Sequence, residues 1–545
     1  MSLTCAVLSI PLLAAGAGGA TVPSALWTNI QQSPEQTFRI WIFFADRDIA
    51  SAAERNRLIE SRRKEISPRA LARRLARGTS PEPVSIDDLA VSPGYIHSVL
   101  ATGARKRQES RWLNAISVEA TGDRIQAIAA LPFVMRIQPV ARAVRRPRPS
   151  EQPAPGPDSS LRDNGAAWYS NSFAQLNQIN IVSAHNAGYT GQGIVVGILD
   201  CGFNRTHAAF NQTTNGSHPV QIVAEHDYVS NDGDTSQQPG DFPNQSAHGT
   251  YILGTLGAFY PTVLVGGAFD AAFILAKTED ISQEVPAEED NYVAGLEWIE
   301  SLGADMATSS LGYIDWYTQA DLDGHTAVTT VAVNMATALG MACCTAAGNE
   351  GHDSNPATSD LIAPADALQV LSCGAVDSSN LIASFSSDGP TADGRVKPEV
   401  LAQGVNTNTV SFSSNTDIVA VSGTSLSTPL VASGVALIIQ AHPTWTVDKI
   451  RRALFQTAGD FMANSNYDHT YVRGYGLINI MAAIQFVHGD INGDGVADGR
   501  DIQPFVSAFL GTNASASQRR RADCDASGAV TIGDVPIFVS DLLGQ

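Results

Sequence analysis

From about residue 165 the chain alternates apolar runs of strand length, IVVGILD, FILAKTE, GMACCTAA and VLSCGAV, with longer helical segments such as YVAGLEWIESL, AVNMATALG and PLVASGVALIIQAH. A strand that is apolar at every position has no face to give to water, so it must be covered on both sides. Strands of that kind separated by helices predict an α/β domain, a parallel sheet with helices on both faces, over residues 165–487. Residues that do chemistry in such sheets gather where strands end and loops begin.

The remainder of the 545 residues is built differently, and so long a chain exceeds what one core organises. TFRIWIF (37–43) and PFVMRIQPVA (132–141) predict strands, and AAERNRLIESRRKEI and DRIQAIAA between them predict helices, which makes a small α+β unit over 37–148. Prolines and small polar residues in RRPRPSEQPAPGPDSS predict an extended, exposed linker, residues 149–164, open to a protease. The opening MSLTCAVLSIPLLAAGAGGA reads as a secretory signal over residues 1–21, too short to span a bilayer, and no later run has the length and apolarity of a transmembrane segment. The expected location is therefore outside the cell or at its surface. Of six cysteines Cys5 leaves with the signal, and five remain, an odd number, so at least one is unpaired or bonded to another chain; most are expected as small buried hydrophobes.

Net charge is −20, but unevenly spread: residues 1–150 hold 21 Lys and Arg against 12 Asp and Glu, and residues 151–545 hold 13 against 42. The basic residues are mostly Arg scattered through helical patterns and the acidic remainder repels phosphate, which argues against a nucleic-acid partner. A basic segment docked on an acidic one is the expectation.

Acyl transfer at neutral pH needs a hydroxyl, a base for its proton, a carboxylate to orient the base, and donors for the developing oxyanion. IVVGILDCG runs a buried strand into Asp200; SAHGTYILGTLG starts a helix near His248; MACCTAAGNEG ends a strand in a turn exposing Asn349; VSGTSLSTPLV puts Ser425 at the start of a helix. Any one of these motifs is weak alone. A Ser before an apolar stretch is what a helix N-terminus asks for in any case. The four in this order on a parallel α/β pattern are hard to obtain by accident.

With ILDCGFNRTH, HGTYILGTLG, AAGNEG and GTSLSTP in that order, residues 165–485 resemble the subtilisin-like serine proteases, whose triad runs Asp, His, Ser. The resemblance implies Asp200 as orienting carboxylate, His248 as general base and acid, Ser425 as nucleophile, and Asn349 as oxyanion donor beside the Ser425 backbone N–H. It implies further that SSLGY, with Ser310, Leu311 and Gly312, pairs with extended polypeptide substrate, and that Ala347 and Gly348 of the oxyanion segment touch it. FSSDGP, HPTWTVDKIRRALFQTA and GYGLINIMAA are similar to the family's late framework. Cys201 departs from the usual Thr beside the Asp, a departure expected to make the site sensitive to thiol reagents; Tyr313 departs from a usual Gly and, with Trp316 and Tyr317, is expected to reshape the outer substrate subsites. By the same resemblance the basic unit is a propeptide, a folding chaperone and inhibitor that is later removed.

The tail carries one pattern twice, DINGDGVADGRD (490–501) and DCDASGAVTIGD (523–534), each followed by an apolar helix. Oxygen-bearing residues at positions 1, 3, 5, 9 and 12 of the first loop, with Gly at 6, suit a calcium ion. The ligands would be Asp490, Asn492, Asp494, the carbonyl of Val496 and Asp501, with Asp498 acting through water. The second loop offers Asp523, Asp525, Ser527, the carbonyl of Ala529 and Asp534, and Ser527 predicts weaker binding there. Loop plus single helix, twice, resembles a dockerin module over 488–545, small, all-α and EF-hand-like, which implies calcium as cofactor and a cohesin-like scaffold partner; a calcium-stabilised cap is the alternative. No cofactor is needed for the hydrolytic chemistry itself. The rival to a secreted endopeptidase is an inert adhesion or scaffold protein in which only the tail matters.

Overall fold

The structure is a computed structural model that describes residues 13–15, 19–141, 152–153, 164–212, 218–282, 289–314 and 316–544. Its centre is a seven-stranded parallel sheet, in the order Gln221–Asp227, Ala272–Lys277, Val195–Asp200, Met306–Ser309, Ala342–Ala346, Leu371–Val376, Val400–Gln403. The inner strands are buried at almost every position and only the edge strand Gln221–Asp227 is half in water, as their apolar runs require. Successive residues serve opposite faces. Val196 and Ile198 join the core beneath the helices Ala247–Gly257, Thr424–Ala441 and Val447–Thr457, while Val195 and Leu199 join the core beneath Glu289–Leu302 and Val328–Ala338. Thr424–Ala441 is long and apolar enough to cross a membrane by length and composition, but it is buried along nearly its whole length as the central helix of the domain.

The N-terminal unit is a second sheet with strand order Leu13–Ala15, Thr21–Pro23, Val134–Pro139, Thr37–Phe44, Ala115–Thr121, Arg105–Ser110. It begins ahead of the expected boundary at residue 37: Val22, with Leu26 and Ile30 of the helix Ser24–Gln32, packs against Ile125 and Ile128 of the helix Gly122–Ala129. An apolar opening hides such a short helix from pattern reading. Most of the expected signal, and most of the linker, lie outside the described residues.

The other face of this sheet lies on the α/β domain, where Trp41, Phe43, Trp112 and Ala141 share one core with Tyr292, Leu296 and Tyr317. An arm formed by helices Ala52–Glu65 and Pro68–Arg77 reaches further, to the edge of the sheet where the strands begin. There Arg74 pairs with Glu300 (Nη2 to Oε2, 2.6 Å) and Arg77 with Asp305 (2.8 Å), while Arg73 also binds Glu300 and Arg69 also binds Asp305. Opposite charge on the two parts is thus spent in buried contacts, as the sequence suggests.

Every described element after residue 488 is helical: Gly499–Asp501, Ile502–Phe509, Ala516–Ala522 and Asp534–Leu542. The middle helix, capped by Ser515 and Gln518, lies between the two loops and goes unpredicted because it is short and polar. Phe505 and Phe538 stack at 4.2 Å in a core of this segment's own. Arg452 ties it to the α/β domain through a two-pronged contact with Asp541 (2.8 and 3.1 Å).

Candidate active site

The strand Val195–Asp200 ends on Asp200, which is fully buried. Its Oδ1 accepts the Cys201 N–H at 2.7 Å, and both oxygens accept from His248 Nδ1, at 2.9 and 3.0 Å. A carboxylate only accepts, so Nδ1 carries the ring proton and Nε2 is the basic nitrogen of the neutral imidazole. Gly249 allows this approach: a Cβ there would lie 2.2 Å from the Gly202 carbonyl and 3.1 Å from Asp200 Cβ. His248 keeps about a quarter of its side chain exposed (26%), enough to meet a substrate.

Ser425 lies in the first turn of Thr424–Ala441, after Gly423 at φ 153°, where a side chain would be strained. Pro429 in the second turn has no N–H for the Ser425 carbonyl, which would otherwise take the helical bond. That carbonyl instead accepts the Ser310 hydroxyl at 2.9 Å, while the Ser425 hydroxyl donates at 3.4 Å to the Ser310 carbonyl. Ser425 is therefore fixed to the end of strand Met306–Ser309. Leu426, next to Ser425, shares a small apolar cluster with Ala247, next to His248, and this brings the two helix starts together.

Asn349 is oriented from the same turn. Its Oδ1 accepts the Thr424 N–H at 2.8 Å and the Thr424 hydroxyl at 3.0 Å, so Nδ2 is the end left to donate. Ala347 and Gly348 are buried supports: the Ala347 N–H goes to Cys373, its carbonyl accepts from Ile362, and the Gly348 carbonyl accepts from Thr424 and Ser387. Leu311 and Gly312 run alongside Ile362, where a Cβ on Gly312 would come within 2.0 Å of Ile362 Cδ1. Tyr313 and Tyr317, expected to reshape the outer subsites, lie in the full chain in the core shared with the N-terminal unit. Both are buried, Tyr313 bonding Glu279 at 3.0 Å and Tyr317 bonding Glu289 at 2.7 Å, because their rings fill the core shared with the N-terminal unit. Ser310, expected as a substrate contact, also holds Ser425 in place, and Pro429, which frees the Ser425 carbonyl for it, is the positioning residue that pattern reading did not single out.

The two tail loops offer oxygen donors. In the first, Asp490 accepts from the N–H groups of Gly493, Asp494 and Gly495, and Asp501 from those of Ile491, Asn492 and Asp498. Arg521 reaches Asp490 at 3.2 Å and Arg500 reaches Asp494 at 3.0 Å. In the second, donor oxygens of Asp523, Asp525 and Asp534 lie within 4.8 Å of one another. Burial and then the neighbouring Asp525 push Asp523 up to about 8, and burial also raises Asp534. Crowded carboxylates of this kind fit a hard cation.

The model of the subtilase family matches residues 191–476, and that of the peptidase S8 propeptide domain of Bacteroidota matches residues 39–154. The chain belongs to the subtilase family. It is 32% identical over 311 residues to the subtilisin of Bacillus pumilus, covering 57% of this chain and 98% of that one. To subtilisin E of Bacillus subtilis (strain 168) it is 32% identical over 310 residues, covering 57% and 70%. Fervidolysin of Fervidobacterium pennivorans, described as a keratinolytic enzyme related to subtilisin, shares the fold at a TM-score of 0.56 with 20% identity, over 83% of this chain and 61% of that one. This subtilase is a subtilisin-like serine endopeptidase with a propeptide domain.

Proposed function

We propose that Asp200, His248 and Ser425 are the catalytic triad, and that polypeptides are cleaved through an acyl-enzyme on Ser425. The reading is carried by the double contact of His248 Nδ1 with both oxygens of buried Asp200. The His248 Nε2 takes the Ser425 proton as Oγ attacks the scissile carbonyl, and Asp200 stabilises the imidazolium that forms. Charge on the carbonyl oxygen is met by Asn349 Nδ2 and by the Ser425 backbone N–H, at the positive end of a helix. His248 then gives its proton to the leaving amine, and water repeats the sequence to release the acid. Ser310, Leu311 and Gly312 pair with the substrate backbone as an added strand, and Ala347 and Gly348, leading into Asn349, touch the substrate beside it.

The N-terminal unit is the protein's own inhibitor and folding aid, removed by cleavage in the linker after secretion. The tail is a dockerin-like module that binds calcium through Asp490, Asn492, Asp494, Val496 and Asp501, and through Asp523, Asp525, Ser527, Ala529 and Asp534. Calcium there would neutralise the carboxylate clusters and hold the loops, for docking on a cohesin-like partner or for stability.

Expression of the full chain as Ser425→Ala tests the reading. The parent is expected to cut its linker and the variant to remain whole; a variant processed like the parent would exclude self-maturation by this serine. For the tail, calcium added to the metal-free chain should release heat and raise the melting temperature, and neither happening would remove the ligand assignment.

A further inference from the structure

The catalytic pair has a third soft neighbour. Asp200, Cys201 and His248 each present a ligand atom, a carboxylate oxygen, a thiol sulfur and a ring nitrogen, and all three atoms lie within 4.8 Å of one another. Cys201 is buried and takes part in no disulfide. Hydrolysis as derived above makes no use of its sulfur, and its backbone N–H donates to Asp200 Oδ1.

Sulfur, imidazole and carboxylate are the donor set that Zn²⁺ takes at three-ligand sites with an open fourth position. At bond lengths of about 2.0 Å to nitrogen and oxygen and 2.3 Å to sulfur, a tetrahedral ion holds its donors roughly 3.3–3.6 Å apart. The oxygen-to-nitrogen separations of 2.9 and 3.0 Å need only a slight opening for that, and the sulfur, within 4.8 Å of both partners, has at most roughly 1.3 Å to close. The carboxylate sits at the buried end of a strand and the imidazole in the first turn of a helix, so two of the three ligands stand on rigid elements. The partly exposed imidazole is the door by which a cation enters.

We propose that Asp200, Cys201 and His248 form an inhibitory site for a thiophilic divalent cation, Zn²⁺ or Cd²⁺, which occupies the catalytic pair and shuts the enzyme off. Binding replaces the thiol proton with a metal bond and releases it to solvent, while the ring proton passes from Nδ1 to Nε2 as the metal takes Nδ1. With Nδ1 on the metal and Asp200 drawn from its role of orienting the ring, His248 no longer serves as base to Ser425. The idea rests on the triad reading, but its first test needs no hydrolysis.

The full chain carrying Ser425→Ala, in excess calcium to fill the tail, is titrated with Cd²⁺ while the ultraviolet cadmium–thiolate charge-transfer band is followed. One equivalent should raise the band, and the added substitution Cys201→Ser should abolish it while thermal unfolding of the cation-free chain stays within a few degrees. Absence of the band in the Ser425→Ala chain, or its persistence without Cys201, would overturn the proposal whatever the triad does. In the wild-type chain, micromolar Zn²⁺ should lower peptide hydrolysis more than tenfold, with recovery on chelation, and Cys201→Ser should need at least ten times more Zn²⁺ for the same loss. Equal sensitivity of the two proteins would also overturn it.

Discussion

Replacing Arg74 by Ala should loosen the N-terminal unit from the catalytic domain. The guanidinium is 1% exposed and makes four bonds: to Glu300 Oε1 (2.8 Å) and Oε2 (2.6 Å), Asp88 Oδ1 (2.9 Å) and the Pro83 carbonyl (2.8 Å). Two of these cross between the units and two are internal to the arm. Removing one partner of a buried ion pair costs about 3–5 kcal/mol, since the remaining charge is stranded. Arg73 still reaches Glu300 and blunts the loss, and the Asp88 half destabilises the arm itself, so roughly 2–3 kcal/mol falls on docking, on the order of 30–150-fold in the opening equilibrium. Hydrogen exchange in the uncleavable Ser425→Ala background measures it, as faster exchange of Pro68–Arg77 amides by that factor. Combining Arg74→Ala with Glu300→Gln should cost much less than the sum of the two. Exchange unchanged within twofold, or fully additive effects, would refute the view that this buried pair holds the units together.

Glu289 is fully buried between the units, accepting from Trp41, Ala141 and Tyr317, and burial pushes it up to about 8 against those three bonds, with Asp290 pushing the same way. A carboxyl raised when docked favours the docked state below its ordinary value near 4.5 and loses that contribution as pH rises towards 8. Docking should therefore weaken between pH 5 and 8, and Glu289→Gln should flatten the dependence, as read by exchange at several pH values. Asn349→Ala should lower kcat about 100–1000-fold with KM little changed, the cost known for the corresponding donor of a subtilisin, as steady-state peptide hydrolysis would show. Arg452→Ala strands Asp541, buried against it, leaving the 3.7 Å contact of Lys449, and should free the tail to unfold as a separate, earlier transition in calorimetry.

Much of the fold was legible because burial on both faces leaves a plain mark: IVVGILD and VLSCGAV have no polar alternation, and both are interior strands. The proposed triad was legible for another reason, since Asp200, His248 and Ser425 each stand where an element ends or begins, beside small residues that such endings need. What stayed hidden depends on contacts between distant segments. The Ser310 hydroxyl is an ordinary serine in SSLGY until Pro429, far along the chain, leaves a carbonyl for it. Tyr313 and Tyr317 read as subsite residues because a buried tyrosine and a wall tyrosine look alike in a sequence, and the core they share with Trp41 in the full chain is built by distant segments. The charge opposition of the two halves was visible, but not that Arg73, Arg74 and Arg77 of one helix would spend it on Glu300 and Asp305. In the tail, Ser527 suggested the weaker loop, and the arginines that lie on Asp490 and Asp494 come from outside the first loop's ligand positions.

The central claim is that His248, oriented by Asp200, activates Ser425. Labelling the matured protein with a serine-directed phosphonate and locating the adduct by mass spectrometry tests it most directly. A single adduct on Ser425, nearly absent after His248→Ala and sharply slowed after Asp200→Asn, is the predicted result. An adduct on another residue, or one that forms on Ser425 as fast without the imidazole, would contradict it.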